Sequence, residues 1–356
     1  KPKLDRRAFL ETCGITLATL AIPARASAQS PNTTTSVIQF VEDIPARASA
    51  QSPNRPNIIV ILLDDMGYSD LGCYGGDVDT PNIDALARQG LRFTHFYNTA
   101  RCCPTRAALL TGLYPHQVGL DKNGQSLTRD GATIAELLRE HGYQTAMTGK
   151  WHLSVSEPLK PPERHQKWLD HQINPGIPFA PLETYPVNRG FDRFYGIIWG
   201  VVDFFDPYSL VEGDRPVKEV PKDYYITDAI SEHAVKYVRE MAANDDPFFL
   251  YLAHTTPHWP LHARKEDIAK YDGMFQDGWH AMRKHRYQRQ VEMGLIDPET
   301  HPMPEVMGRD ATDWDELSNE EKAIQTAKMR VHAAMIDRVD QGVGNVVRTL
   351  KDSGAY

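Results

Sequence analysis

Two uninterrupted apolar runs frame the pattern of this chain. Residues 57–63 read Asn-Ile-Ile-Val-Ile-Leu-Leu and residues 247–253 read Pro-Phe-Phe-Leu-Tyr-Leu-Ala, the form expected of strands buried on both faces of a parallel sheet. Between and after them the period changes. Residues 80–90 read as a helix closed by Gly90, residues 91–97 as the strand that follows, and residues 133–141 as a helix that stops at Gly142. Residues 143–148 then form a strand leading into Gly149-Lys150-Trp151-His152. A further helix is expected over 225–241, with Ile226, Ile230, Ala234 and Val238 near one face, and a long one over 323–350. Strands alternating with helices predict an α/β domain built on a large, mainly parallel central sheet flanked by helices.

Upstream of residue 57 the pattern is that of a leader. Residues 5–10 carry paired arginines, residues 13–23 are mostly apolar, and Ala26-Ser27-Ala28 is small-x-small, the three-part form of an export signal. Arg6-Arg7 followed by Ala-Phe-Leu resembles a twin-arginine signal and implies a periplasmic or secreted destination. The apolar run is too short to span a bilayer, so the chain is expected to be free of the membrane once the signal is removed. Residues 22–32 recur unchanged at 44–54, which reads as a copied cleavage and linker region. The expected divisions are an export signal over 1–28, a linker over 29–56 and, over 57–356, the N-terminal part of a catalytic domain that is incomplete. The first residue is Lys1, so a start further upstream is expected.

Composition narrows the partners. A hydrophobic fraction of 41% supports a sizeable core. A net charge of −8 argues against nucleic acid, because binding a phosphate backbone needs a concentrated basic surface. Any anion site must be local. Four cysteines, two of them adjacent and one in the leader, do not make a disulfide framework.

The candidate chemistry gathers where predicted strands end. Asp64 and Asp65 follow the first apolar run, where open α/β sheets bind ligands, and two adjacent carboxylates there call for a hard cation. Cys102 lies just ahead of a helix in which Pro104 is tolerated and residues 107–110 are strong helix formers, so an anion is favoured beside it. Arg106, about one turn on, can point a forked cation at the same spot. Lys150 and His152 fall on one side if their strand continues. The second apolar run delivers His258, while His254 and His262 read as loop residues.

The stretch Cys102-Cys103-Pro104-Thr105-Arg106, continued by Leu109-Leu110-Thr111-Gly112, resembles the sulfatase signature. Composition alone would produce about 0.02 chance matches to its three key positions per chain. Gly149-Lys150-Trp151-His152-Leu153 and Pro257-His258-Trp259-Pro260 resemble further elements of the family, and residues 267–289 with 314–317 resemble the insertion of its arylsulfatase branch. The resemblance implies an alkaline-phosphatase-like sandwich. It also implies that Cys102 is oxidised to formylglycine by a formylglycine-generating enzyme. On the same ground Asp64, Asp65 and the modified Cys102 hold Ca²⁺, ahead of Mg²⁺, and Arg106 stabilises charge. Lys150, His152 and His258 contact the sulfate, with His258 or Lys150 protonating the leaving group. The family's next strand, which ends in Asp-Asn, and its small carboxyl-terminal subdomain are not found before Tyr356. The expected activity is hydrolysis of a sulfated small molecule or glycan. A phosphodiesterase or phosphonate monoester hydrolase of the same superfamily and an inactive anion-binding protein are the alternatives.

Overall fold

The computed structural model describes residues 55–155, 178–304 and 312–356. The expected export signal over 1–28 and nearly all of the linker lie outside the described residues. No helix among the described residues is long and apolar enough to cross a membrane.

Six strands form one sheet in the order β1-β6-β2-β3-β4-β5. The two apolar runs become β1 (Ile58–Asp64) and β6 (Phe248–Pro257), which pair in parallel with Val60 opposite Tyr251. β2 (Gln144–Lys150) lies on the other side of β6, and β3 (Arg193–Ile197) beyond it, again in parallel. A small antiparallel hairpin of β4 (Leu210–Glu212) and β5 (Arg215–Pro216) finishes that edge. Buried on both faces, β6 alternates between two cores. Phe249, Tyr251 and Ala253 join Cys103, Ala107 and Leu110 on one face, while Phe248, Leu250 and Leu252 join Ile230, Ala234 and Val238 on the other.

The helices number seven among the described residues. α1 (Pro81–Gln89), α2 (Cys102–Thr111) and α3 (Ile134–Glu140) precede β2. α4 (Ile226–Ala242), the short α5 (Lys265–Ala269) and α6 (Gly278–Glu292) follow the hairpin, and α7 (Asn319–Asp352) runs for 34 residues. α2 and α3 cover one face of the sheet, α4 and α7 the other. This is the expected α/β sandwich. The free N–H groups at the start of α1 are satisfied from across the fold, because the Asp340 carboxylate of α7 accepts from the amides of Ile83 at 2.8 Å and Asn82 at 3.2 Å.

Two expectations fail. Residues 91–97 are not a strand; Leu91, Phe93, Phe96 and Tyr97 are exposed in irregular backbone. Their alternation suits a sheet, but no described strand pairs with them, and a strand without a neighbour leaves its amides unpaired. His254 is not in a loop. It lies within β6, fully buried, with neither ring nitrogen hydrogen-bonded.

Candidate active site

Four parallel strands end at one place, and each delivers a predicted residue or its support. β1 ends in Asp64, which is 4% exposed. β2 ends in Lys150, whose Nζ lies 2.5 Å from Asp64 Oδ2. From α2 on the covering layer, Arg106 Nη2 reaches within 3.3 Å of Asp64 Oδ1, and its Nη1 donates to the Lys150 carbonyl at 2.7 Å. Asp64, Arg106 and Lys150 thus form a closed triangle with almost no solvent access. Burial alone would raise the Asp64 carboxyl, but Arg106 and Lys150 outweigh it and hold it below the usual range. Burial pushes Lys150 down, assisted by Arg106 and opposed by Asp64.

The strand does not continue through His152 as the sequence pattern required. β2 stops at Lys150, and His152 adopts a left-handed φ of 56° that turns its ring toward Cys102. Two neighbours make this possible. Gly149 has φ of 105°, and a Cβ there would lie 1.8 Å from the Ala253 carbonyl oxygen of β6, so no larger residue fits. Gly200, just beyond β3, lies flat against the imidazole; a Cβ on it would come within 2.3 Å of His152 Cε1. Burial lowers the His152 pKa, with Lys150 and Arg106 acting in the same sense and Cys102 against it.

Cys102 is the first residue of α2, where the chain leaves the extended Arg101 and the first-turn amides face the helix entrance. A hydrogen bond from Cys103 is the largest influence on its thiol. With His152 and the charge of Lys150 acting the same way, it brings the thiol down to about 3 against the opposing effect of burial. Cys103 is driven upward by the same contact, so one proton serves both sulfurs. Cys103, to which the sequence pattern gives no role, is fully buried and lies against Cys102. Asn123 was also missed. Its Oδ1 lies 3.8 Å from Cys102 Sγ, on a loop held by the Leu127 amide to the Leu153 carbonyl and by Arg189, which donates to the carbonyls of Leu127, Thr128 and Gly131. Nothing in a polar loop sequence distinguishes such a residue.

His258 follows β6 and completes the ring of groups. Its Nε2 lies 3.4 Å from Asp65 Oδ2, and its Nδ1 contacts the Trp259 carbonyl at 2.6 Å. Asp65, also in left-handed backbone, has its side chain 59% exposed, in contrast to Asp64. His254 and His262 stay apart from this ring: His254 is buried under α4 and α7, and His262 faces Asp203 at 3.7 Å. The carboxylates of Asp64 and Asp65 are chemically suited to a hard divalent cation. Among the described residues no third His, Cys, Asp or Glu joins them in a close ligand cluster, and the Asp64 oxygens are engaged by Lys150 and Arg106.

The sulfatase family model matches residues 56–356. The chain belongs to the sulfatase family. It is 32% identical over 306 residues to an arylsulfatase of Klebsiella aerogenes, a match covering 83% of this chain and 62% of that sulfatase. It is 33% identical over 229 residues to human arylsulfatase A, covering 56% and 41%. An uncharacterized sulfatase of Schizosaccharomyces pombe is 32% identical over 326 residues, covering 83% and 54%. Among solved structures, Ps i-CgsB in complex with k-i-k-neocarrahexaose superimposes with a TM-score of 0.59 at 29% identity, covering 85% of this chain and 56% of that one. The matched region therefore spans about two-fifths to three-fifths of the length of these longer proteins.

Proposed function

We propose that this chain carries the nucleophile half of a sulfatase site and that the protein hydrolyses sulfate esters of a small molecule or glycan. One arrangement supports the reading: Cys102 starts a helix beside His152 and the charge of Lys150, Asp64 bridges Lys150 and Arg106, and His258 faces Asp65 next to it. Family membership and the arylsulfatase relatives support the same reaction.

Formylglycine at position 102 would, as its hydrate, supply an oxygen nucleophile toward sulfur and a second hydroxyl through which sulfate is released. A divalent cation held by Asp64, Asp65 and the oxygen at position 102, with Ca²⁺ ahead of Mg²⁺, supplies Lewis-acid polarisation. The remaining duties belong to the chain itself. Arg106 has a buried Nε with no hydrogen-bond partner, and together with Lys150 it stabilises negative charge on the sulfuryl oxygens. His152 accepts the proton of the hydroxyl that expels sulfate. We assign protonation of the departing alcohol to His258, whose Nδ1 contacts the Trp259 carbonyl and whose Nε2 faces the Asp65 carboxylate at 3.4 Å. Lys150, wholly buried and committed to Asp64, is the weaker donor. A positioned histidine of this kind contributes about 10²–10⁴-fold. Export through the twin-arginine-like leader would place this reaction in the periplasm or outside the cell.

The test is a panel of aryl sulfates and phosphates with the Cys102→Ala variant beside the parent, and intact mass of the peptide that holds residue 102. We expect sulfate ester turnover lost in the variant and a peptide about 18 Da lighter than the thiol form. Full turnover in Cys102→Ala, or preference for phosphate esters, removes the reading.

A further inference from the structure

Cys103 has no duty in the reaction above, yet it does not stand alone. The sulfurs of Cys102 and Cys103 and a ring nitrogen of His152 all lie within 4.8 Å of one another. Cys103 is fully buried and His152 is 7% exposed, so both are fixed by packing. The Nδ1 of His152 is buried without a hydrogen-bond partner, and Gly200 holds the ring in place. Zn²⁺ bonds to thiolate at about 2.3 Å and to imidazole at about 2.0 Å, so tetrahedral ligand atoms stand roughly 3.8 Å apart. With all three atoms within 4.8 Å of one another, each pair lies within about 1 Å of that spacing, and Cys102, half-buried, has room to rotate. Asn123 Oδ1 lies 3.8 Å from Cys102 Sγ.

We propose that the thiol form of this chain, with Cys102 still a cysteine, is a Cys₂His site for a thiophilic divalent cation of the Zn²⁺ class with one open coordination position. The soft sulfurs select against the hard ions suited to Asp64 and Asp65. On binding, the sulfurs bond to the metal as thiolates, any proton they carry passes to solvent, and no electrons are transferred. Oxidation of Cys102 to the aldehyde removes one of the two sulfurs and with it the site. Zinc would therefore occupy only chains that have not been converted. The inference stands whether or not the converted chain hydrolyses sulfate esters.

The experiment uses the full chain prepared as the thiol, with Co²⁺ as the spectroscopic probe. We expect thiolate-to-cobalt charge-transfer absorption and tetrahedral ligand-field bands, displaced by one equivalent of Zn²⁺ and unaffected by Ca²⁺. Cys103→Ser and His152→Ala should weaken binding at least tenfold, and Cys73→Ser should leave it unchanged. In the unsubstituted chain, which needs no variant to fold, Zn²⁺ should slow alkylation of Cys102 by iodoacetamide at least tenfold. A cobalt spectrum typical of oxygen ligands, undiminished binding by Cys103→Ser, or alkylation indifferent to Zn²⁺ overturns the proposal.

Discussion

At the scale of single residues the site is governed by charges that burial would otherwise forbid. Arg106 is 1% exposed, and its guanidinium meets both the Asp64 carboxylate and the Lys150 carbonyl. Removing one partner from such a group leaves the others uncompensated, which costs about 3–5 kcal/mol. Arg106→Ala is therefore expected to lower stability by about that amount in urea unfolding, and to lower kcat by about 10²–10³-fold on an aryl sulfate. A variant of parental stability would show that the triangle is not held by Arg106. The sulfurs make a second prediction. With its thiol brought down to about 3, Cys102 in the unconverted chain is a thiolate throughout the neutral range, whereas burial and the nearby Asp84 push Cys73 up to about 11. Iodoacetamide should label Cys102 at a rate nearly flat between about pH 5 and 8 and leave Cys73 untouched, read by peptide mass. A rate rising tenfold per pH unit would mean an ordinary thiol.

Among the elements, strand ends do the positioning, and a glycine with no chemistry of its own decides where a histidine sits. Gly200→Ala would drive a methyl group into the His152 ring, at a cost of about 1–3 kcal/mol if the ring stays and a loss of geometry if it moves. We expect kcat to fall at least tenfold with KM changed much less, measured on an aryl sulfate; unchanged kcat would mean that the ring tolerates displacement. This dependence was not legible in the sequence, where Gly200 is one more glycine after a strand. The strands themselves were legible, because β1 and β6 are continuous apolar runs and such runs have few other places to go. So were Asp64, Lys150 and His258, since each follows such a run or its neighbour. The route to His152 was not. Periodicity placed it beside Lys150 by extending the strand, whereas a positive φ does the work. Residues 91–97 failed for a related reason: alternation reports what a strand would look like and not whether another lies alongside. Asn123 and Cys103 come to the site through folding of distant segments, which no local pattern encodes.

For the molecule as a whole, the sheet's second core contains a group that links stability to acidity. His254 is fully buried between the sheet and the α4–α7 layer, with Ser231 and Gly342 beside it and Asp228 as the charge that acts on it; burial lowers it from its ordinary 6.5 to about 4. A histidine kept neutral by the fold contributes stability above its unfolded pKa, and that stability drains away as pH falls from about 6.5 through about 4, since the unfolded chain binds the proton first. The difference amounts to about 3 kcal/mol. Asp64, held below the usual range, acts in the same direction at lower pH. Urea midpoints at pH 7 and pH 5 should show the loss, and His254→Leu should flatten it; an equal slope in the variant would exclude His254 as the source.

The order of strands carries a consequence for how the protein is made. β6 is the last of the six described strands in chain order, yet it is inserted between β1 and β2. Until residues 248–257 arrive, nothing spaces Asp64 and Lys150 at ion-pair distance, and the pocket around Cys102 has no floor. During synthesis the segment around Cys102 is therefore made nearly 150 residues ahead of the strand that spaces Asp64 from Lys150. The fold thus builds a delay into the closure of its Asp64–Lys150 contact, which comes together only once β6 is in place.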